Sequence, residues 1–279
     1  MLSERKLVFT KENIDTYLKE LAKEYRKQGG KNMPAELILI GGASVLINYG
    51  FRDMTTDIDA IIQASSGMQD AINIVGERFE LSKGWINADF RKTESYSPKI
   101  VEFSKYYKEF SHVLTVRTIS AEYLIAMKLR SGRQYKSDLS DIIGILAEHD
   151  KREEPISIDQ IKMAVKNLYG DWESLPSSSI SFIENVMAGD QYEIIYDQIR
   201  QDEKDNQDVL LQFNSKYPGV LKEDNVEDIA DNLRNKGEPE SILALLREKN
   251  PGADKIMMLC AALEVTPELL LSGKGREIG

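Results

Sequence analysis

Hydrophobic and polar positions along the first 150 residues follow helical and strand periods in turn, and this pattern predicts the elements. Ile14, Leu18, Leu21 and Tyr25 recur at helical spacing, and Thr10 is a suitable residue to cap the start of that helix. We therefore expect an amphipathic helix that ends at the glycine pair preceding the first strand.

Further elements follow in the same alternation. Residues 67–79 are predicted to form a second amphipathic helix, 84–90 a loop, and 99–103 and 113–119 two strands. Ser120 suits the start of another helix. Strands that alternate with helices predict an α/β domain in which helices cover the sheet.

The most informative stretch is an apolar run, residues 37–40, that ends at Gly41 and Gly42. A short apolar helix and a turn follow, and Asp57 and Asp59 then lead into a second apolar run. Residues i and i+2 of a strand point to the same face, so the two carboxylates are expected side by side.

This arrangement has a chemical interpretation. Two carboxylates held close together repel unless a cation lies between them, and Mg²⁺ is commonly held by one or two carboxylates together with substrate phosphates. Glycines at 41 and 42 allow the backbone to approach a phosphate, and the first N–H groups of the following helix suit an anion. Ser44, in that first turn, could add a hydroxyl donor.

The stretch resembles the nucleotidyltransferase superfamily, whose motif is a glycine pair, a spacer of roughly ten residues, and Asp-x-Asp. Here the spacer, 43–56, has 14 residues. The resemblance implies a mixed β-sheet with flanking helices. It also implies that Gly41 and Gly42 bind the phosphates of an NTP, and that Asp57 and Asp59 hold Mg²⁺ or Mn²⁺.

A second resemblance lies downstream. The pattern over 123–142, with weaker support from 84–89, is similar to the AbiEii-like branch, the toxin components of some bacterial abortive-infection and toxin–antitoxin systems. In that branch a lysine and a later aspartate complete the site. Lys128 matches the lysine, and the aspartate is Asp138 or, as second choice, Asp141.

Lys128 would neutralise charge on the triphosphate, a form of preorganised electrostatic stabilisation. A salt-bridged junction between helices is the alternative for the charges around it. The position of a third metal-binding carboxylate is not determined by spacing, and Asp89 and Glu102 are the two candidates.

Composition changes after residue 152, which divides the chain. We expect a nucleotidyltransferase-like domain at 1–152, a helical extension at 153–215, and a small all-α domain at 216–279. The segment from Asn250 to Gly275 is similar to part of a repressor-type helix-turn-helix domain, a fold whose second helix enters the major groove of DNA.

Charge disfavours DNA binding by the last segment, which has eight basic and twelve acidic residues over 220–279. Contact with a partner protein, such as an antitoxin, is an equally good interpretation. A DNA probe shifted by this segment at low salt would reverse that preference.

The remaining composition excludes other classes of protein. The net charge is −10, one cysteine rules out an intrachain disulfide, and two histidines make a zinc site improbable. Cys260 lies on an apolar helical stripe, typical of a core position. No apolar run is long enough to span a membrane, so a cytoplasmic location is the default expectation.

Two functions follow as expectations. The first is an enzyme that transfers a nucleoside monophosphate from an NTP to a hydroxyl of RNA, protein or a small molecule. The alternative is a non-catalytic nucleotide-sensing protein that acts through its C-terminal helices on a partner protein or DNA. Release of pyrophosphate distinguishes them.

Overall fold

The computed structural model describes residues 8–133, 136–189 and 191–216, together with 220, 221, 226 and 229. By backbone contacts the chain divides into two units. The first is Met1–Gly132 with Asp138–Tyr196, and the second is Arg133–Ser137 with Asp197–Gly279. The predicted boundaries after residues 152 and 215 stay predictions, and the helix-turn-helix-like segment 250–275 lies outside the described residues.

A mixed five-stranded sheet forms the centre of the first unit, in the order β3-β2-β1-β5-β4. Strand β1 pairs antiparallel with β2 and parallel with β5, while β2 and β3 are parallel and β4 and β5 antiparallel. With helices flanking this sheet, the predicted α/β class is confirmed. The strands are β1 (Ala35–Leu39), β2 (Ile58–Gln63), β3 (Ile86–Asn87), β4 (Ser104–Phe110) and β5 (Leu114–Ile119).

Helices precede, separate and follow the strands. The α-helices within the described residues are α1 (Ile14–Lys27), α2 (Gly41–Asn48), α3 (Gly67–Arg78), α4 (Ala121–Ser131), α5 (Asp138–Lys151), α6 (Ile158–Tyr169), α7 (Ser177–Gly189) and α8 (Tyr192–Lys216). The predicted start of the first helix is corrected, because the capping position is Asn13 rather than Thr10. The backbone N–H of Thr10 instead donates to the Asn13 side chain at 2.9 Å.

Two predicted elements differ from the structure. The expected strand at 99–103 is a 3₁₀ helix, Pro98–Phe103, and the strand β4 begins just after it. Proline at the first position favours the helical turn because its φ is fixed. The expected loop at 84–90 contains β3, a two-residue strand that exists because Ile86 pairs with Ile58 of β2.

One hydrophobic core lies between the sheet and the pair α1 and α3. It includes Leu18 and Leu21 of α1, Ile72 of α3, Leu37 of β1, and Trp85. The periodic apolar positions of the sequence therefore face this core. Elsewhere, α4 packs against α5, α6 and α7, and a reciprocal capping box of Ser157 and Gln160 begins α6.

Among the described residues, none of the helices is both long and apolar enough to cross a membrane.

The two tryptophans of the chain provide a test of this packing. Trp85 is buried, and its Nε1 donates to the Ile72 carbonyl oxygen at 3.0 Å. Trp172 is half-buried, and its Nε1 has no hydrogen-bond partner among the described residues. We expect Trp85→Phe to lower the free energy of unfolding by about 1 to 3 kcal/mol, because it removes both a buried hydrogen bond and packed volume.

The matched control, Trp172→Phe, removes an indole N–H that makes no such bond, so a smaller loss is expected. Urea denaturation followed by circular dichroism measures both. Equal losses in the two variants would show that the Trp85 hydrogen bond does not support the core.

Candidate functional site

The pairing of β1 with β2 brings the glycine pair next to the acidic pair. Because the two strands are antiparallel, with Leu39 opposite Ala60, the end of β1 meets the start of β2. The Ile40 N–H donates to the Asp59 carbonyl oxygen at 2.9 Å. Two segments that are 14 residues apart in the sequence thus meet at one end of the sheet.

Gly41 has a backbone conformation that favours glycine. Its φ is +53°, in the left-handed region where a Cβ costs energy. A Cβ built on Gly41 would lie 3.7 Å from Oδ2 of Asp59. The glycine therefore keeps open the space beside that carboxylate oxygen, where a phosphate oxygen or a metal ion could be accommodated.

Gly42 is needed for a different reason. A Cβ built there would lie 2.8 Å from Nη2 of Arg52 and 2.8 Å from Oγ1 of Thr55. Real Cβ atoms do not approach so closely, so these two side chains occupy the space that glycine leaves. The prediction from sequence explained both glycines by close approach of a phosphate, whereas the structure gives Gly42 protein neighbours.

The helix α2 begins directly at this turn. Its capping residue is Ile40, which has no side-chain oxygen to accept a hydrogen bond. The first N–H groups of a helix lack partners inside the helix, and the positive end of the helix dipole lies there. An anion such as a phosphate is a suitable partner for these groups.

Asp57 and Asp59 lie at the start of β2 as predicted. Ile58 and Ala60 are buried in the core, Asp59 is half-buried and Asp57 is exposed. This alternation places the two carboxylates on the side of the strand opposite the core.

The structure distinguishes the two candidates for a third carboxylate by their position in the sheet. Asn87 of β3 pairs with Asp59, and its side-chain oxygen accepts from the Asp89 N–H at 2.9 Å. Asp89 therefore follows the strand next to the acidic pair, where it forms an exposed ion pair with Lys92. Glu102 precedes β4, which is separated from β2 by β1 and β5.

Asp89 is therefore better placed than Glu102. Within the described residues, however, no group of three or more His, Cys, Asp or Glu side chains is close enough to hold a metal ion. A third carboxylate stays a prediction.

Lys128 lies in a buried ion cluster with both candidate aspartates. Its Nζ is 3.0 Å from Oδ1 of Asp138 and 2.7 Å from Oδ2 of Asp141. Arg52 also donates to Asp141 through Nη1. The two aspartates share a face at the start of α5, where negative charge also suits the helix dipole.

The pKa of Lys128 reflects this cluster. Burial by itself would lower the pKa of the ammonium group, but the negative charges of Asp141 and Asp138 outweigh burial and the opposing charge of Arg52, so the pKa is raised. Lys128 therefore stays protonated, and its role is electrostatic rather than that of a general base.

Ser44 is fully buried rather than directed to solvent. Its Oγ accepts a hydrogen bond from the Ile119 N–H at 3.1 Å, which ties α2 to the end of β5. A contact between Ser44 and phosphate stays a prediction, and in this conformation the hydroxyl has a structural role.

Arg52 and Thr55 are the neighbours of the glycine turn that the sequence interpretation did not include. Both lie in the spacer between the glycine pair and the acidic pair, which was treated only as a length. Thr55 is held by a backbone bridge to Phe9, with N–O distances of 2.8 and 2.9 Å. A cationic residue within that spacer is the only signal in the sequence that could have suggested Arg52.

Removing the ammonium group tests the buried cluster. We expect Lys128→Met to lower the free energy of unfolding by about 3 to 5 kcal/mol, because two buried carboxylates lose a cation. The control is Lys151→Met, which removes an exposed ion pair with Glu193 and should leave stability close to that of the wild type. Urea denaturation compares them, and a stable Lys128→Met variant would contradict a cluster that needs its cation.

Comparison with known proteins places this geometry in a family. No curated protein and no solved structure matches the chain. The family described as "Nucleotidyltransferase of unknown function (DUF6036)" matches residues 16–174, which is more than half of the chain and includes the glycine turn, the acidic pair and the buried cluster. The protein therefore belongs to this nucleotidyltransferase family.

Proposed function

We propose that the protein is a metal-dependent nucleotidyltransferase that moves a nucleoside monophosphate from an NTP to a hydroxyl acceptor. The observation that carries the proposal is the contact between the glycine turn and the acidic strand. The Ile40 N–H donates to the Asp59 carbonyl oxygen at 2.9 Å, and the missing Cβ of Gly41 leaves space beside Oδ2 of Asp59.

The residues present fit Mg²⁺ or Mn²⁺. Asp57 and Asp59 supply hard carboxylate oxygens, and the space beside Gly41 adjoins one of them. When bound, the ion would neutralise phosphate charge and orient the triphosphate. Two protein carboxylates suffice for such an ion, because phosphate oxygens and water supply the remaining ligands.

The chain's own residues supply binding and orientation. The N–H groups at the start of α2, with Gly41 and Gly42, hold the phosphates, and the buried cluster of Lys128, Asp138 and Asp141 supports the turn. The acceptor oxygen attacks the α-phosphorus and forms a new P–O bond. The bond from that phosphorus to the bridging oxygen breaks, pyrophosphate leaves, and the hydroxyl proton passes to solvent. Most catalysis in such transfers is positioning and charge.

The acceptor is a hydroxyl of RNA, of a protein or of a small molecule. The resemblance of 123–142 to the AbiEii-like branch supports a role as the toxin of a toxin–antitoxin or phage-defence system, with an antitoxin protein as partner. We expect expression of the wild-type protein to arrest bacterial growth and Asp59→Asn to abolish the arrest. Equal growth with both proteins would contradict the toxin role.

A nucleotide-sensing protein without catalysis is the second candidate. The observation that favours it is that the described residues bring no third acid into a cluster with Asp57 and Asp59. Such a protein would bind an NTP without releasing pyrophosphate.

The enzyme proposal predicts a specific loss in Asp59→Asn. We expect one of the four NTPs, with Mg²⁺, to raise the melting temperature of the wild type by mass action. Pyrophosphate release should follow when an acceptor is supplied from total RNA or cell extract. Both effects should disappear in Asp59→Asn, because the amide keeps the shape of the carboxylate but cannot neutralise the ion.

Asp70→Asn is the control, since it makes the same change at an exposed position of α3. It should behave as the wild type in both assays. Stabilisation without pyrophosphate release would favour the sensing protein, and retained release in Asp59→Asn would refute the assignment of the acidic pair.

A further inference from the structure

Solvent reaches the four charges of the buried cluster unequally. The exposed fractions of the side chains are 7% for Lys128, 5% for Asp138 and 3% for Asp141, against 20% for Arg52. A nucleotide that binds from solvent at the glycine turn therefore meets the guanidinium group before the ammonium group. The sequence pattern had directed attention to the lysine instead.

The guanidinium group of Arg52 lies directly against the glycine turn. Its Nη1 donates to Asp141 and its Nε donates to the Met54 carbonyl oxygen at 3.2 Å. Its Nη2 lies 2.8 Å from the position that a Cβ of Gly42 would take. In the part of the chain that the structure describes, Nη2 donates no hydrogen bond, so it has donors for a phosphate oxygen.

Lys128 is poorly suited to the same contact. Its Nζ is 2.7 Å and 3.0 Å from two buried carboxylates. Movement of the ammonium group to a phosphate would leave Asp138 without that cation and Asp141 with Arg52 alone. Separating a buried charge from its partner carries a large energetic cost.

We propose that Arg52 is the residue that contacts the triphosphate, and that Asp141, itself held by Lys128 and Asp138, orients it. This inference rests on the proposed nucleotidyltransferase function and deepens it. Guanidinium suits the role because its planar array of donors matches phosphate oxygens, and because it remains charged under all relevant conditions. Lys128, Asp138 and Asp141 are then positioning residues.

Two double variants separate Arg52 from Lys128. Arg52→Met/Asp141→Asn and Lys128→Met/Asp138→Asn each remove one cation and one anion, so each leaves a single ion pair in the cluster and the same net charge. The dissociation constant for the Mg²⁺ complex of the stabilising NTP is measured by calorimetry on the full chain. Circular dichroism verifies that each variant is folded.

We expect the Arg52 pair variant to bind about tenfold to a hundredfold more weakly, which corresponds to loss of hydrogen bonds to a charged group. The Lys128 pair variant, which keeps Arg52 and Asp141, should bind within about threefold of the wild type. The opposite order, or equal effects, would overturn the role of Arg52.

The variant Arg52→Lys serves if a double variant does not fold. It keeps the charge but loses the planar array, so KM for the NTP should rise between the wild-type and Arg52→Met values while kcat changes less. An unchanged KM in both Arg52 variants would overturn the inference alone. A wild-type protein that binds no NTP would overturn the nucleotidyltransferase proposal as well, so the two failures are distinguishable.

Discussion

The antiparallel pairing of β2 with β1 is the constraint on which the site depends. It places the end of one strand, with its glycine turn, beside the start of the other, with its two aspartates. A shift of the register by one residue would turn Asp59 toward the core and Ile58 toward solvent. The apolar residues on the core face therefore fix the register, and the register determines which side of the sheet carries the carboxylates.

The buried ion cluster adds a second constraint beneath the turn. Two cations and two anions connect α4, α5 and the loop after α2. The net stability from such a cluster is small or unfavourable relative to apolar packing, because each charge loses its hydration. A cluster that fixes the direction of the Arg52 side chain has a reason to be retained that stability alone does not supply.

Local patterns predicted a large part of this structure. The order of β1, glycine turn, α2 and acidic strand follows from residue periods within 26 residues, and Asp57 and Asp59 lie where alternation placed them. Features that depend on distant residues were not predictable in this way. Strand β3 exists through its pairing with Ile58, and the Ser44 hydroxyl is buried because it accepts from the Ile119 N–H, 75 residues away.

The glycine pair shows why a short motif does not reveal its own physical basis. In sequence the two residues form one feature, explained by close approach of a phosphate. In the structure Gly41 satisfies a left-handed φ and leaves space beside Asp59, while Gly42 leaves space for Arg52 and Thr55. The first glycine therefore belongs to the surface that would meet the ligand, and the second belongs to the packing behind it. The two positions serve one site through separate constraints, and only the three-dimensional neighbours of each residue distinguish them.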